Sequence, residues 1–263
     1  MVIKYSVQGF LIYLAMVFYL LGFLVSMLKF RRFAILAGTA GFVAAFGSAV
    51  YRWTDAGHVP LGNLFEVFIF LGMVVWPIYF LCERVFGIKI LAGDYLVGAM
   101  ILFPAGFVFS GEPLHLPPVL QSWLFIPHVG MYMGGYVLLA KAGYYVFGRF
   151  FEFQGYTKSD LANDERACYK LACLGFPFLS FGLVLGSIWA RDAWGRCWGW
   201  DPKEMWSLAT WLVYMGYFHF RYGTGGRFPG WNYVWLVFGF VFVLITLLWA
   251  NLSSLFAGLH SYA

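Results

Sequence analysis

Eight runs of about 18 or more mostly apolar residues follow one another along the chain. A helix of that length rises about 30 Å, which matches the hydrocarbon thickness of a bilayer. Inside lipid only helices and closed barrels satisfy every backbone hydrogen bond, and runs of this length indicate helices. The sequence therefore predicts an all-α fold, a polytopic membrane bundle of about eight transmembrane helices. We place them near residues 7–28, 34–51, 62–82, 90–110, 126–148, 169–190, 204–220 and 231–251.

The composition supports this assignment. Hydrophobic residues make up 62% of the chain and charged residues 11%, against about 25% charged residues in soluble proteins, which excludes a soluble globule. The net charge of +5 does not indicate nucleic-acid binding, because the basic residues lie in short connections and form no patch. The four cysteines show neither CxxC nor paired zinc spacing, so no disulfide framework or structural metal site is indicated.

The connections between the apolar runs are short. The longest is the polar stretch 151–170, with QGYTKSDLANDER at its centre, and no sequence repeat or linker is present. We therefore expect one transmembrane domain over residues 1–263. Eleven of the 17 Lys and Arg residues fall in one set of alternate loops and five in the other. The positive-inside rule then places both termini on the outer side.

Two further expectations follow from that orientation. The remaining basic residue, Lys141, lies inside the fifth span, where we expect its side chain to snorkel inward. The outer face carries three unusual segments: residues 54–62, residues 111–127, and the loop 191–203 together with the tail 256–263. The chemistry of the protein is expected there.

The strongest signal is a tryptophan cluster in the segment WGRCWGWDPKEMW (residues 194–206), which lies in a loop that we call the Trp loop (about residues 191–206). Its glycines permit tight turns, so the indoles can face a common ligand, and a flat, apolar, polarisable ligand suits such a surface. The alternative is an interfacial aromatic belt. The four tryptophans are Trp194, Trp198, Trp200 and Trp206.

The acidic residues of the Trp loop have a structural interpretation. Asp201 suits the N-cap, Pro202 the first position and Glu204 the third position of the seventh helix, as in a capping box. We therefore interpret Asp201 and Glu204 as helix-start residues in preference to acid–base groups. A helix N-terminus also offers N–H groups to anionic substituents of a ligand.

The Trp loop with its DPKE ending resembles the WWD signature of haem-handling membrane proteins, and in particular the CcsA (ResC) family of cytochrome c biogenesis system II. Three further segments resemble motifs of that family: GHVPLGNLFE at 57–66, LPPVLQSWLFIPHV at 116–129 and GLHSY at 258–262. The similarity spans about residues 52–262, with the motifs in family order. In this chain Gly62 stands where the family typically has Ser, and Arg196-Cys197 fills the variable pair of the signature.

Two histidines lie at the outer ends of predicted spans. His128 begins the fifth span and His260 follows the eighth. A pair of neutral imidazoles is a reasonable axial set for haem iron, although single interfacial histidines are usually only amphipathic. The resemblance implies that both hold haem b under the Trp loop, where Trp194, Trp198, Trp200, Asp201 and Trp206 are its binding residues.

His219 lies 15 residues beyond Glu204, about 22 Å farther along the seventh helix. Its spacing places it on one face with Met215 and Trp211. An ionisable residue at this depth is a functional candidate, with a hydrogen bond to a neighbouring helix as the alternative. The resemblance implies a transmembrane haem ligand whose opposite ligand comes from a CcsB (ResB)-like subunit. No second candidate histidine exists on the inner half.

The remaining candidates have weaker signals. Structural roles are favoured for His58 and His115, which lie in outer loops, and no role can be derived for Glu66 although it matches a family acidic position. Trp123 and Trp189 are further outer-face aromatics.

The resemblance implies haem transport and presentation for covalent attachment to an exported apocytochrome c with a CxxCH motif. We assign no acid–base catalyst, since the reactive groups belong to haem and substrate; the chain would be a subunit of a haem lyase. The alternatives are a cytochrome b-like electron carrier with permanently bound haem and, last, a small-solute transporter. The expected location is a bacterial cytoplasmic membrane with a periplasmic active face, and a thylakoid membrane is the second candidate.

Overall fold

A computed structural model describes residues 3–113, 115–151 and 158–249, and over those residues the chain forms eight α-helices and no β-strand. The predicted all-α architecture and the number of helices are confirmed. The helices are α1 (Val7–Met27), α2 (Arg31–Ala56), α3 (Leu64–Phe86), α4 (Ala92–Phe107), α5 (Phe125–Phe151), α6 (Lys158–Trp194), α7 (Pro202–Gly223) and α8 (Pro229–Leu244).

Five helices are long and apolar enough to cross a bilayer by length and composition. They are α1, α2, α3, the Asn163–Trp194 part of α6, and α8 with the π-helical turn that extends it, over Pro229–Leu248. The protein is therefore a multi-pass membrane protein. The orientation of its termini stays a prediction.

The chain divides into two compact units, Met1–Gln121 and Ser122–Ala263. In the first unit α1 packs on α2 and α4, and α3 packs on the same two helices. Aromatic rings fill notches left by glycines: a Cβ at Gly38 would lie 2.6 Å from the Trp76 ring, and one at Gly41 would lie 2.8 Å from Tyr19. The Tyr19 hydroxyl also donates to the Gly72 carbonyl at 2.9 Å, which joins α1 to α3.

In the second unit α5 and α6 form the most extensive helix pair, and α8 packs on α5, α6 and α7. Glycines again permit close approach, since a Cβ at Gly143 of α5 would lie 2.7 Å from Phe240 of α8. The hydroxyls of Thr210 and Thr246, 3.0 Å apart, join α7 to the π-helical turn Ile245–Trp249. The single haem-handling domain expected over residues 1–263 stays a prediction.

The sixth helix corrects the prediction of a long polar connection, because α6 begins at Lys158, eleven residues before the predicted span. The polar segment is helical because tertiary contacts hold it. Glu165 accepts hydrogen bonds from Arg221 Nε at 2.7 Å and from Asn232 Nδ2 at 2.9 Å. The Arg221 guanidinium lies 3.6 Å from the centre of the Tyr169 ring. These contacts tie the beginning of α6 to α7 and α8.

The expectation that Lys141 snorkels is wrong. Its side chain is completely buried, with Nζ 5.7 Å from the centre of the Tyr145 ring. Asp164 and Glu165 are also buried in this unit. The Lys141 amine is thus enclosed within the bundle instead of reaching the membrane surface.

Candidate functional site

His128 lies in the first turn of α5 and faces α6. Its Nδ1 is 2.9 Å from the carbonyl oxygen of Gly182, and its ring stacks on Trp189 with a centroid distance of 5.8 Å and an interplanar angle of 19°. Because a carbonyl oxygen only accepts, Nδ1 carries the proton and the neutral ring has an unprotonated Nε2. A histidine that coordinates metal through Nε2 commonly has its other nitrogen bound in this way.

Two glycines of α6 contribute to the position of the imidazole. Gly182 supplies the acceptor carbonyl, and a Cβ at Gly186 would lie 2.5 Å from His128 Cε1 and 2.8 Å from Nδ1. The edge of the Tyr132 ring closes another side of the imidazole, with centroids 5.2 Å apart. The rotamer of His128 is therefore fixed by contacts from two helices.

An aromatic chain connects His128 to the Trp loop. Trp189, which is 1% exposed, contacts the imidazole on one side and the Trp194 ring on the other, with centroids 4.8 Å apart and planes at 69°. Phe125 packs on Trp189 at 6.0 Å. The structure thus brings the predicted ligand His128 and the first tryptophan of the loop to the same end of the unit through Trp189, for which no ligand role was predicted.

Trp200 has an unusual backbone conformation, and the neighbouring Trp198 has a hydrogen-bond donor that is unpaired among the described residues. Gly195 (φ 75°) ends α6, and the rings of Trp198 and Trp200 meet edge to face with centroids 5.9 Å apart. Trp200 has a φ of 58° and is 68% exposed. A bulky residue in the left-handed region stores strain of about 1–3 kcal/mol, and such strain concentrates at ligand sites. Trp198 Nε1 is buried and has no hydrogen-bond partner in the described part of the chain.

The start of α7 confirms the predicted capping box. Asp201 Oδ1 accepts from the Glu204 amide at 2.9 Å, and Glu204 Oε2 accepts from the amides of Asp201 at 3.2 Å and Gly199 at 2.7 Å. Both carboxylates are buried and engaged with the backbone, as the helix-start interpretation requires. Burial lowers the pKa of the neighbouring Lys203 to about 8, so that this amine still carries most of its charge at neutral pH.

Trp206 is part of the α7 packing. Its ring meets Phe242 of α8 edge to face at 5.5 Å, and its carbonyl accepts from the Thr210 hydroxyl at 2.7 Å. The Trp206 ring therefore packs against α8, whereas the rings of Trp198 and Trp200 contact each other. The role of all four tryptophans as haem-binding residues stays a prediction.

His219 lies near the other end of α7 and is exposed. Its Nδ1 is 2.8 Å from the Met215 carbonyl oxygen, so Nε2 is again the unprotonated nitrogen. The acceptor belongs to α7 itself, and the alternative of a bond to a neighbouring helix is not what the structure shows. Exposed Met205 and Leu212 precede His219 at seven-residue spacing and share its face. This face presents an imidazole outward from the unit.

The side chains around His128 and the exposed imidazole of His219 fit an iron porphyrin as cargo. With Nδ1 donating to a carbonyl, the neutral rings of His128 and His219 both carry Nε2 as the nitrogen without a proton, and such a nitrogen can coordinate haem iron. The flat rings of Trp189 and the Trp loop suit the apolar macrocycle, and the orphan Trp198 N–H suits a polar substituent. The proposed second outer ligand, His260, lies outside the described residues.

Glu66, for which no role could be predicted, belongs to a buried ion pair in the first unit. Its Oε1 accepts from Arg52 Nε at 2.9 Å, and its Oε2 accepts from the Gly62 amide at 2.8 Å. Arg52 also donates to the carbonyls of Gly111 and Glu112 at 2.6 and 3.2 Å. The side chains of Arg52 and Glu66 are 1% and 0% exposed. The pair therefore fastens the loop after α4 to α2 and α3.

The departure at Gly62 has a local explanation. A Cβ there would lie 2.7 Å from Leu116 Cδ1 and 3.4 Å from Glu66 Oε2. Leu116 therefore occupies the space that a side chain at position 62 would need. His58, in the same segment, has Nδ1 3.0 Å from the Val59 carbonyl oxygen. That contact agrees with the structural role favoured for His58.

A matched pair of glycine substitutions tests the packing around His128. Gly186→Ala is expected to displace the imidazole, because the added methyl group overlaps it, and to weaken the predicted haem ligation by His128 by roughly 10- to 100-fold. Gly130→Ala on α5 is the control, since a Cβ there meets nothing within 4 Å. Absorption spectra and haem titrations of both purified variants measure the effect. Equal affinities in the two variants would contradict the assigned seat of the imidazole.

Comparisons with known proteins agree on one family. The family described as "Cytochrome C assembly protein" matches residues 9–257. A protein named cytochrome c biogenesis protein CcsA from Nicotiana tomentosiformis is 31% identical over an alignment that covers 84% of this chain and 82% of that protein. Proteins of the same name from Chlamydomonas reinhardtii (34% identical, 80% of this chain and 63% of that protein) and Mesostigma viride (31% identical, 80% and 79%) are also similar.

Proposed function

The chain belongs to the CcsA family of cytochrome c assembly proteins, and from that membership we propose that it carries haem across the membrane and presents it for attachment to apocytochrome c. The family match directly supports a role in cytochrome c biogenesis. Haem transport and presentation are supported chiefly by the way His128 is packed. Its imidazole, with an unprotonated Nε2, is locked against α6 and joined by Trp189 to the Trp loop.

The chemistry of presentation assigns binding and orienting roles to this chain. His128, with His260 as the second ligand, would hold the iron of haem b, and the exposed Trp200 and the neighbouring Trp198 would cover a face or an edge of the macrocycle. Attachment adds the S–H of each substrate cysteine across a haem vinyl C=C bond, which forms a thioether and leaves the hydrogen on the adjacent carbon. That addition needs no acid–base residue from this chain beyond correct positioning.

A second haem position is proposed at His219. The imidazole is exposed near the end of α7, on one face with Met205 and Leu212, where a ligand or another protein can reach it. Because the sequence offers no other histidine on the inner half, a CcsB (ResB)-like subunit would supply the opposite ligand. Haem would enter there and leave at the Trp loop.

The proposed location is a bacterial cytoplasmic membrane with the Trp loop on the periplasmic face. The loop charges support that orientation. A thylakoid membrane is the second candidate, because relatives occur in Nicotiana tomentosiformis and Chlamydomonas reinhardtii.

A transfer experiment separates haem delivery from the cytochrome b-like alternative. The full chain, purified with a CcsB-like subunit and loaded with reduced haem, is mixed with an apocytochrome that contains CxxCH. Delivery predicts that haem leaves this chain and becomes covalently bound to the apocytochrome, whereas an apocytochrome with SxxSH takes none. Haem that stays on this chain in both mixtures would establish a permanent carrier and overturn the proposal.

His219→Ala tests the inner position. We expect the haem bound to the complex with the CcsB-like subunit to fall to the amount held at the outer site, since one axial ligand is lost. Leu212→Ala on the same face is the control and is expected to keep the haem content of the unaltered complex. Haem content and reduced-state spectra measure both. A His219→Ala complex with unchanged content and spectrum would remove this residue from the proposed route.

A further inference from the structure

An apolar groove of about 460 Å³ lies between α1 and α2 in the first unit. Its lining is entirely hydrophobic and includes Phe18, Leu21 and Val25 of α1 and Phe33, Ala37 and Ala40 of α2. The volume falls within the range of about 300–1,000 Å³ that small-molecule sites occupy. The alanines form a narrow floor between aromatic walls.

The groove has the length of one leaflet. Phe18 lies nine residues before the end of α1, and Ala40 lies nine residues after the start of α2. At 1.5 Å per residue both are about 14 Å from the helix ends, close to the middle of a 30 Å hydrocarbon core. The groove therefore runs from the α1–α2 turn to about the bilayer midplane, along the path of an acyl chain.

The end of the groove at the turn is positively charged. Lys29, Arg31 and Arg32 are exposed there, next to Phe30 and Phe33 of the groove wall. Arg31 Nη2 lies 2.6 Å from Glu83 Oε2, so Arg31 is engaged in an ion pair. Lys29 and Arg32 are the two exposed cations here that can bind an external anion. Two cations at the level of the headgroups and an apolar channel beneath them complement a lipid that has an anionic headgroup.

A transmembrane helix of another protein fits this groove less well. Helices approach closely where small residues line the contact. The glycines of α2 in this region are already used within the unit, since Gly38 receives Trp76 and Gly41 receives Tyr19. The walls that remain are bulky phenylalanines. The groove therefore favours a thin, flexible occupant.

We propose that the α1–α2 groove binds one anionic phospholipid, with an acyl chain between Phe18 and Phe33 and the headgroup phosphate at Lys29 and Arg32. The site is separate from the proposed haem positions and does not depend on them. Anionic headgroups are attracted to basic residues at the membrane surface, and the groove adds a fixed seat for the chain.

Native mass spectrometry of the full-length protein with phosphatidylglycerol or phosphatidylcholine tests this site. We expect one tightly retained phosphatidylglycerol, and a roughly 10- to 30-fold weaker affinity for it in Lys29→Gln/Arg32→Gln. Phosphatidylcholine is expected to bind weakly to both proteins. Lys89→Gln/Arg227→Gln removes the same charge from two other exposed positions and is expected to leave retention unchanged.

The groove itself is tested by Ala40→Leu, with Ala37→Leu as a second variant in case the first fails to fold. Each adds side-chain volume to the floor and is expected to reduce phosphatidylglycerol retention. Equal retention of the two lipids, or equal loss in the two charge variants, would overturn the proposal. Unchanged lipid retention together with weakened binding of a CcsB-like subunit in the groove variants would instead make the groove a helix-docking site.

Discussion

His128→Ala is expected to reduce covalent cytochrome c formation by on the order of 100-fold or more, because the proposed outer site loses an axial ligand whose orienting contacts alone are worth 10- to 100-fold. Helix α6 orients the His128 imidazole through the Gly182 carbonyl and the Trp189 ring. The measurement is the yield of covalent haem on an exported reporter cytochrome in cells that lack any other CcsA-type protein.

Two further results would identify the cause of that loss. His115→Ala is the control, since His115 is an exposed loop histidine and its replacement is expected to leave the yield unchanged. Added imidazole is expected to restore part of the yield in His128→Ala, because it can enter the space that the side chain vacates and coordinate the iron. Full activity of His128→Ala without imidazole would exclude ligation by this residue, and loss without rescue would indicate a structural role.

The sequence predicted the helices well because hydropathy along one segment decides whether that segment enters a bilayer. It failed at the beginning of α6, where the residues are polar. Their helical state depends on Glu165, whose partners Arg221 and Asn232 lie 56 and 67 residues away. It also failed at Lys141, because the burial of that side chain depends on the helices that pack against α5. No local pattern reports such pairs.

The site shows the same division. The Trp loop and the capping box of Asp201 and Glu204 were predictable because each is contained in one short segment. The seat of His128 was not, because Gly182, Gly186 and Trp189 come from α6, more than 50 residues away. The spacing of these three along α6 is four and three residues, which places them on one helix face. That spacing was the only signal of the seat in the sequence.

The unpaired groups near the Trp loop carry a functional implication. A strained, exposed Trp200 and an orphan Trp198 N–H both lower the stability of the free protein. A ligand that contacts the loop would satisfy the Trp198 N–H, and backbone strain like that of Trp200 concentrates at ligand sites.

Glu66→Gln is expected to destabilise the first unit by about 3–5 kcal/mol, because it leaves the buried Arg52 guanidinium with only Asp55 as a counter-charge, 3.9 Å away and 43% exposed. The pair is almost completely buried, so water cannot replace the lost partner. Glu83→Gln is the matched control: its partner Arg31 is 66% exposed, and such surface pairs contribute about 0–1 kcal/mol. Denaturant titration of the detergent-solubilised protein, with hydrogen exchange at Gly111 and Glu112, measures both effects.

A double substitution distinguishes an uncompensated charge from simple loss of packing. Arg52→Met/Glu66→Leu removes both charges, and we expect it to cost less than the sum of the two single substitutions, since neither ion remains buried alone. The hydrogen bonds from Arg52 to the Gly111 and Glu112 carbonyls are lost in the double variant, so the loop after α4 should still exchange faster than in the unaltered protein. Additive costs would mean that the two side chains stabilise the unit independently, and that the ion pair is not what holds the loop.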